Sequence, residues 1–185
     1  MTKPKVSRVT GVEVPSDMDE SLRPIAAEIH RIHESALWSS QVQFEQMRRW
    51  RGVHYSIGVA AALSASLAGA GGLAKFHIWW LPPTLALFAA GMGAIVTTLN
   101  PAQRGSQARA AAVEYQELQT EARQLLTVDL ADLSKEEART HLTDLTARRD
   151  ALNKTAEPPG SAAYKKAKKL LEAGGQTYEQ DSGKS

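Results

Sequence analysis

Cysteine is absent from this chain of 185 residues. Its absence excludes disulfide bonds, thiol nucleophiles and zinc sites built on thiolates, and it does not identify a cellular compartment. The sequence also lacks a glycine-rich phosphate loop, a nucleophile elbow and paired carboxylates, which are the sequence signs of several large enzyme classes. We therefore expect a protein that is not an enzyme and that binds no cofactor.

Formal charge is missing from a long block in the middle of the chain. Lys75 is the only charged residue between Gly52 and Gln103, although 23% of all residues are charged. About 20 helical residues are enough to cross the ~30 Å hydrocarbon core of a bilayer, and the stretches on both sides of Lys75 are longer than that. The block therefore predicts a transmembrane helical hairpin over residues 52–99.

The two spans of this hairpin are expected at about 53–73 and 82–99, with the tip near 71–80. Trp79-Trp80 lies in the connection, where tryptophan favours the level of the lipid headgroups. Pro82-Pro83 suits the first turn of the second span, because the N–H groups of that turn have no helical partner.

The basic residues beside the hairpin are unequally distributed. Lys75 alone lies in the connection, and the two outer ends are flanked by Arg48, Arg49, Arg51, Arg104 and Arg109. Because basic residues near span ends stay in the cytoplasm, we expect both termini inside. The first 50 residues are polar and show no secretory signal peptide, so we expect the hairpin itself to drive insertion.

The residues before the hairpin predict a flexible arm over 1–20 and an amphipathic helix over 21–51. The segment Ser21-Leu22-Arg23-Pro24 is typical of a helix start, because proline fits the first turn. Apolar residues then recur at steps of four, three and four: Ile25, Ile29, Ile32 and Ala36. This spacing indicates one apolar helix face, and we expect the helix to run without a break into the first span.

The residues after the hairpin predict a pair of cytoplasmic helices over 100–156. Asn100 can cap the helix that Pro101 begins, and that helix has a heptad-like seam of Ala108, Ala111, Tyr115, Leu118, Ala122 and Leu125. A capping box over Ser134–Glu137 starts the next helix, which carries Ala138, Leu142, Leu145 and Leu152. We expect the two helices to pack in antiparallel fashion, and the whole chain to have an all-α fold.

The last part of the chain predicts a linker and a short basic helix over 157–173, followed by a polar tail over 174–185. The helix carries Lys165, Lys166, Lys168 and Lys169. These lysines either contact anionic lipid, at roughly 1 kcal/mol each, or form a solvated face, and the sequence favours neither. Nucleic acid is not an expected partner, because no aromatic residues alternate with the lysines to stack on bases.

Small residues four positions apart mark both predicted spans. The first span has Ala61, Ala65 and Gly69 on one face and Ser64, Ala68 and Gly72 on another, and the second has Ala89, Gly93 and Thr97. Small residues let membrane helices approach closely. Two interpretations stay open: packing within one hairpin, or an oligomer in which the first span is shielded from lipid and lines a pore.

The polar residues of the chain give weaker signals. No acidic residue lies in either span, which argues against a proton-coupled transporter. Serine and threonine hydroxyls in the spans allow a wide, weakly selective pore, although we favour hydroxyls that bond back to their own helix. His30 and His33 are one turn apart without a third ligand, so a solvated helix face is favoured over a metal site.

The segment LNPAQRGSQARAAAVEYQELQTEAR follows the second span. It resembles the SLATT family of bacterial two-span membrane proteins, in which an Asn-Pro pair ends the second span. Basic residues, a tyrosine and a leucine-rich stretch then follow at helical spacing. The matching positions here are Asn100, Pro101, Arg104, Arg109, Tyr115, Leu118 and Arg123. The order of the parts also matches over residues 22–172, including a Tyr-x-x-Ala-Lys string in the last helix.

This resemblance implies an effector of bacterial antiphage conflict systems that use nucleotide second messengers. It implies a multi-pass protein of the bacterial inner membrane that forms pores or disrupts the bilayer when signalled. A nucleotidyltransferase or a nucleotide-sensing partner from the same operon is the expected source of the signal, since this chain shows no room for a sensing domain.

Our first hypothesis is accordingly a homo-oligomeric, pore-forming effector whose immediate partner is the lipid bilayer. A second hypothesis is a non-conducting membrane anchor whose helical cytoplasmic part docks a partner protein. A third is a soluble helical bundle with a buried alanine- and glycine-rich hairpin. We disfavour the third, because the remaining helices offer too little surface to cover two long charge-free helices.

Overall fold

The computed structural model describes residues 19–73 and 79–172, and its regular elements are all helices. They are α1 (Arg23–Leu73), α2 (Leu81–Leu99), α3 (Pro101–Gln124), a π-helical turn (Leu125–Asp129), α4 (Lys135–Thr155) and α5 (Ser161–Glu172). The predicted all-α fold is confirmed in these ranges. The predicted arm up to residue 18, residues 74–78 of the predicted hairpin tip and the polar tail lie outside the described residues.

The described chain forms two compact units. One, here called the bundle, contains the described residues up to Gln46 together with those from Ala108 onwards. The other, here called the apolar unit, is Met47–Gln107. Each is described separately below.

Helix α1 begins where the sequence predicted. It starts at Arg23 with Pro24 in its first turn, and the backbone N–H of Ser21 donates to the carboxylate of Asp19 at 2.8 Å. The helix then continues to Leu73 without interruption, as expected. The predicted apolar face is buried in the bundle, including Ile25, Ile29, Ile32 and Ala36.

Helices α3 and α4 pack in antiparallel fashion, as predicted. The hydroxyl of Tyr115, early in α3, donates to the side chain of Asn153, late in α4, at 2.8 Å. Further along α3, Glu117 and Glu121 both accept from the guanidinium of Arg148, at 3.0 and 2.6 Å. Such exposed ion pairs contribute little stability by themselves, so the buried leucines and alanines between the helices hold the pair together.

The predicted seam on α3 needs one correction. Ala112 is fully buried, whereas Ala111, which the heptad pattern predicted, is only half-buried. Steps of three and of four residues both keep a side chain on the same helix face, so the spacing alone could not choose between two adjacent alanines. The other predicted members of the seam are buried: Ala108, Tyr115, Leu118, Ala122 and Leu125.

A π-helical turn at the end of α3 adjusts the register of the core. The N–H of Leu130 donates to the carbonyl of Leu125 at 2.9 Å, which is a step of five residues. In an α-helix residues five apart point about 140° away from each other. The wider turn lets Leu125, Leu126 and Leu130 all face the core, where they are buried.

The predicted capping box starts α4. The backbone N–H of Glu137 donates to the hydroxyl of Ser134 at 3.3 Å, and the N–H of Ser134 donates to the Glu137 carboxylate at 2.9 Å. The hydroxyl of Ser134 also donates to the Glu137 carboxylate, at 2.7 Å. This bond first, and then the bond from the Ser134 N–H, hold the pKa of the Glu137 carboxyl below its ordinary value. The face of α4 with Ala138, Leu145 and Leu152 is buried, and Leu142 packs against it, as predicted.

Candidate functional site

In the apolar unit the large apolar side chains point outward. Leu87 keeps 73% of its surface, Leu63 and Leu67 keep 60% each, and Trp79 keeps 82%. The same holds for Tyr55, Val59, Trp80, Phe88, Ile95 and Leu99. Helix α2 has no buried residue at all. Proteins dissolved in water rarely expose a continuous apolar surface of this size, so such a surface indicates contact with lipid or with another protein.

Both helices contain a stretch that is long and apolar enough to cross a membrane, by length and composition. Neither α1 from Gly52 onwards nor α2 carries a formally charged residue. On each helix, residues three and four positions apart form a stripe that is less exposed than the rest of the helix. On α1 the stripe includes Ile57, Ala60 and Ser64, and on α2 it includes Leu85, Ala89 and Met92. Since the two helices belong to one compact unit, we infer that these stripes face each other.

The hydroxyls of the apolar helices bond to their own backbones, as the sequence interpretation favoured. Ser64 donates to the carbonyl of Ala60 at 2.8 Å, and Thr97 donates to that of Gly93 at 3.0 Å. The same local pattern holds for Ser56, Ser66, Thr84 and Thr98. The O–H donor of each of these side chains is therefore satisfied without water, as a hydrocarbon environment would require.

The predicted small-residue faces fall into two groups. Ser64 is buried, and Ala61 and Ala89 are half-buried, within the apolar unit. Ala68 is half-buried as well, and the burial of Gly72 lies outside what the structure describes. Exposed are Ala65, Gly69, Gly93 and Thr97. Beyond its own turn of helix, a methyl group built on Gly69 or on Gly93 would meet no atom of the described residues within 4 Å. Packing among the residues that the structure describes therefore does not require the small size of these two glycines.

Asn100 joins two helices through an unusual backbone conformation. Its φ of 43° and ψ of 56° lie in the left-handed region, and it is the only non-glycine residue with positive φ in the part of the chain that the structure describes. Its N–H donates to the carbonyl of Val96 at 2.9 Å, which ends α2. Its side-chain oxygen accepts from the N–H of Gln103 at 3.4 Å, which caps α3 as predicted. Asparagine suits both roles, because it tolerates this region better than other side chains.

The junction is completed by Pro101, Arg104 and Trp50. Pro101 is fully buried at the start of α3. The Nε of Arg104 donates to the carbonyl of Leu99 at 3.1 Å, so this side chain also satisfies one of the last carbonyls of α2. Its guanidinium lies 5.1 Å from the centroid of the Trp50 ring. Trp50 was not among the predicted site residues, although its position between Arg49 and Arg51 is a signal of an interfacial aromatic residue.

The other predicted junction residues lie in the bundle. Arg109 and Arg123 are exposed on α3. Tyr115 is buried, and burial raises the pKa of its phenol above the ordinary value. Of the seven residues of the family pattern, Asn100, Pro101 and Arg104 therefore lie at the helix junction. Tyr115 and Leu118 lie in the core of the bundle.

His33 corrects the expectation of a solvated histidine face. It is 2% exposed in the bundle, because it occupies the apolar side of α1 beside Ile29 and Ile32. Its Nε2 lies 3.4 Å from the side-chain nitrogen of Gln119. Burial, with a contribution from nearby His30, lowers its pKa from 6.5 to about 4. The described residues contain no cluster of three or more candidate metal ligands.

Comparison with known proteins identifies no relative of this chain. The chain matches no protein-family model, no curated protein and no solved structure.

Proposed function

We propose that the apolar unit is a membrane-spanning helical hairpin and that the chain is an oligomeric effector that permeabilises the bacterial inner membrane. The observation that carries the membrane part is the exposure of many large apolar side chains on α2 and on the part of α1 that belongs to the apolar unit. Burying one large apolar side chain stabilises a protein by about 1.5–3 kcal/mol. Large apolar side chains that stay in contact with water do not contribute this stabilisation, whereas contact with lipid removes them from water.

The aromatic and basic residues support a transmembrane orientation. Trp79 and Trp80 lie at one end of the hairpin and Trp50 at the other, as expected for rings at two headgroup levels. Exposed Arg48, Arg49 and Arg51 accompany the Trp50 end. On this basis both termini of a two-span protein are cytoplasmic.

The exposed small-residue faces support an oligomer. Gly69 and Gly93 have free space around them in the single chain, and small exposed residues on membrane helices allow another helix to approach closely. We therefore assign Ala65, Gly69, Gly93 and Thr97 to contacts between copies. The effector role in antiphage conflict, with a nucleotide-dependent partner, rests on the resemblance of the junction segment to the SLATT family.

A second candidate function is a non-conducting membrane anchor whose bundle docks a partner protein. It is favoured by the hydroxyls of the apolar helices, since each one described above already bonds to its own backbone. An anchor needs no polar lining, whereas a conducting pore needs water in contact with its walls.

Membrane potential and growth after induction in bacteria separate the two functions. The intact chain is compared with Gly93→Leu and with a matched control, Gly91→Leu, whose added side chain also meets open space. The effector proposal expects depolarisation by the intact chain and by Gly91→Leu, and its loss in Gly93→Leu. The test is repeated with the neighbouring genes co-expressed. Absence of depolarisation there, together with a stoichiometric bound partner, would establish the anchor instead.

A further inference from the structure

Helix α5 is held on α1 inside the bundle by a small apolar contact and several polar ones. Ala163 and Ala167 of α5 are buried. The ring of Tyr164 meets the ring of Trp38 edge-on, with 5.2 Å between centroids. The ammonium of Lys166 lies 3.0 Å from the carboxylate of Glu45, a residue that is only 2% exposed.

The linker before α5 is attached to the same part of α1. The side-chain amide of Gln43 donates to the carbonyl of Glu157 at 3.1 Å. The backbone N–H of Gly160 donates to the side-chain oxygen of Gln46 at 3.4 Å. These contacts fix the rotation of α5 about its own axis, which two alanine methyl groups alone would leave loosely defined.

The fixed rotation turns two lysines of α5, Lys165 and Lys169, away from α1. Successive residues of an α-helix are about 100° apart. Lys165 and Lys169 each follow a buried alanine by two positions, so they point about 200° away from the covered side. Lys166 projects from the flank and remains 64% exposed even while it contacts Glu45. Lys165, Lys168 and Lys169 are exposed as well, and we call these four residues the lysine face.

We propose that the lysine face of α5 binds the anionic lipid surface of the membrane in which the hairpin is inserted. This inference rests on the proposed membrane insertion and adds a second, peripheral contact with the bilayer. Glu45 acts as a positioning residue, because its contact with Lys166 helps hold α5 with the lysine face outward.

Chain connectivity favours lipid as the occupant. The α5 docking segment of α1 ends at Glu45 and Gln46, and Gly52 begins the charge-free block only six residues after Gln46. Six residues span at most about 22 Å even when fully extended, which is comparable with the depth of the headgroup region and its counterion layer. A cationic face tethered at this range meets headgroups at high local concentration.

The side chains of α5 fit lipid better than nucleic acid. The basic residues of the helix are all lysines, which act as point charges toward lipid headgroups. Recognition of single-stranded nucleic acid uses aromatic rings on which bases stack, and Tyr164, the aromatic residue of α5, is engaged with Trp38.

The test uses the full chain, which contains no cysteine, with one cysteine introduced by Ala162→Cys at an exposed position of α5. The labelled protein is reconstituted in vesicles of phosphatidylcholine, with or without phosphatidylglycerol. A lipid with a quencher on its headgroup then reports the approach of α5 to the surface. We expect quenching to increase with phosphatidylglycerol and to decrease with added salt.

Two double variants isolate the lysine face. Lys165→Gln with Lys169→Gln should lower the ratio of lipid-bound to free α5 by roughly fivefold per lysine, or about 25-fold together. Lys135→Gln with Lys154→Gln removes the same charge from exposed positions on α4 and should leave the quenching unchanged.

The outcomes separate this inference from the proposed function. A chain that does not float with phosphatidylcholine vesicles overturns the membrane insertion, and the lipid role of α5 falls with it. A chain that inserts but shows the same quenching in both lipids, or in both double variants, overturns only the role of α5. A label that responds to added RNA and not to phosphatidylglycerol would make the lysine face a nucleic-acid surface, which also contradicts the inference.

Discussion

The guanidinium of Arg104 lies over the indole ring of Trp50, with its central carbon 5.1 Å from the ring centroid. The same side chain donates to the carbonyl of Leu99, at the end of α2. Arg104 thus ties the end of α2 and the start of α3 to α1, at the point where the charge-free block ends.

Replacing Arg104 should therefore loosen the junction. We expect Arg104→Ala to cost about 1 kcal/mol, from the loss of a partly exposed cation–π contact and one hydrogen bond. Arg104→Lys should not restore it, because an ammonium cannot stack flat on the ring and donate sideways at once. Thermal unfolding in detergent measures the loss. Arg109→Ala, at an exposed position, is the control, and an equal effect of both substitutions would contradict the role of Arg104.

Substitutions of Asn100 test the importance of its left-handed backbone conformation at the same junction. Asn100→Ala should destabilise the protein by roughly 1–2 kcal/mol, because alanine loses the cap on α3 and strains a backbone with a φ of 43°. Asn100→Gly should cost less, since glycine adopts this conformation freely and loses only the cap. The two variants are compared by thermal unfolding. If glycine proves as damaging as alanine, the conformation is not what asparagine provides.

His33 predicts how the stability of the bundle depends on pH. The pKa of His33 is about 4 in the folded chain, whereas the ordinary value for a histidine is 6.5. Between these two pH values the unfolded chain therefore binds a proton at this residue and the folded chain does not. Stability should therefore fall as the pH drops from about 6.5 to about 4, by up to about 3 kcal/mol. Protonation of Nε2 also removes the acceptor that faces Gln119.

The free energy of unfolding of the intact chain and of His33→Gln, measured at several pH values, checks this pH dependence. Glutamine does not titrate, so the variant should lose the slope above pH 4.5. The exposed carboxylates of Glu137 and Asp19 have lowered pKa values, and they account for stability that is lost only below their ordinary values of 4.5 and 3.8. If His33→Gln shows the same slope of stability against pH between 6.5 and 4.5 as the intact chain, other groups cause the pH dependence.

Gly93 tests the assignment of the exposed small residues to contacts between copies. Gly93→Leu should raise the dissociation constant of the oligomer by roughly tenfold, about 1.4 kcal/mol, because the larger side chain keeps the helices apart. Gly91→Leu lies about 200° around α2 and should leave the oligomer intact. Crosslinking in detergent and in vesicles gives the size distribution. Equal distributions for both variants and the intact chain would remove Gly93 from the interface.

Local signals with a specific chemistry were predictable from the sequence. Ser134 and Glu137 identified the start of α4, and the proline after Arg23 identified the start of α1, because each pattern satisfies backbone groups in only one way. The apolar faces of α3 and α4 also predicted their antiparallel packing, although the heptad pattern predicts Ala111 as the buried alanine where the structure buries Ala112.

Features that depend on contacts distant in the sequence were not predictable. The burial of His33 depends on Gln119 of α3, and the stacking of Arg104 depends on Trp50, more than 50 residues earlier. The left-handed backbone of Asn100 results from the meeting of two helices and leaves no spacing pattern. The spacing of the small residues predicts which helix face they share. It does not predict which of them, such as Gly69, are left uncovered by the other described residues.

The central claim is that α1 and α2 cross the membrane with both ends of the chain inside, and cysteine labelling of intact cells tests it most directly. Single cysteines are introduced by Trp79→Cys near the connection and by Ser35→Cys and Ala147→Cys at exposed bundle positions. With the outer membrane permeabilised, a reagent that cannot cross the inner membrane should label only the cysteine at position 79. The other two should react only after lysis. Labelling of all three in intact cells, or of none before lysis, would contradict a two-span protein with cytoplasmic termini.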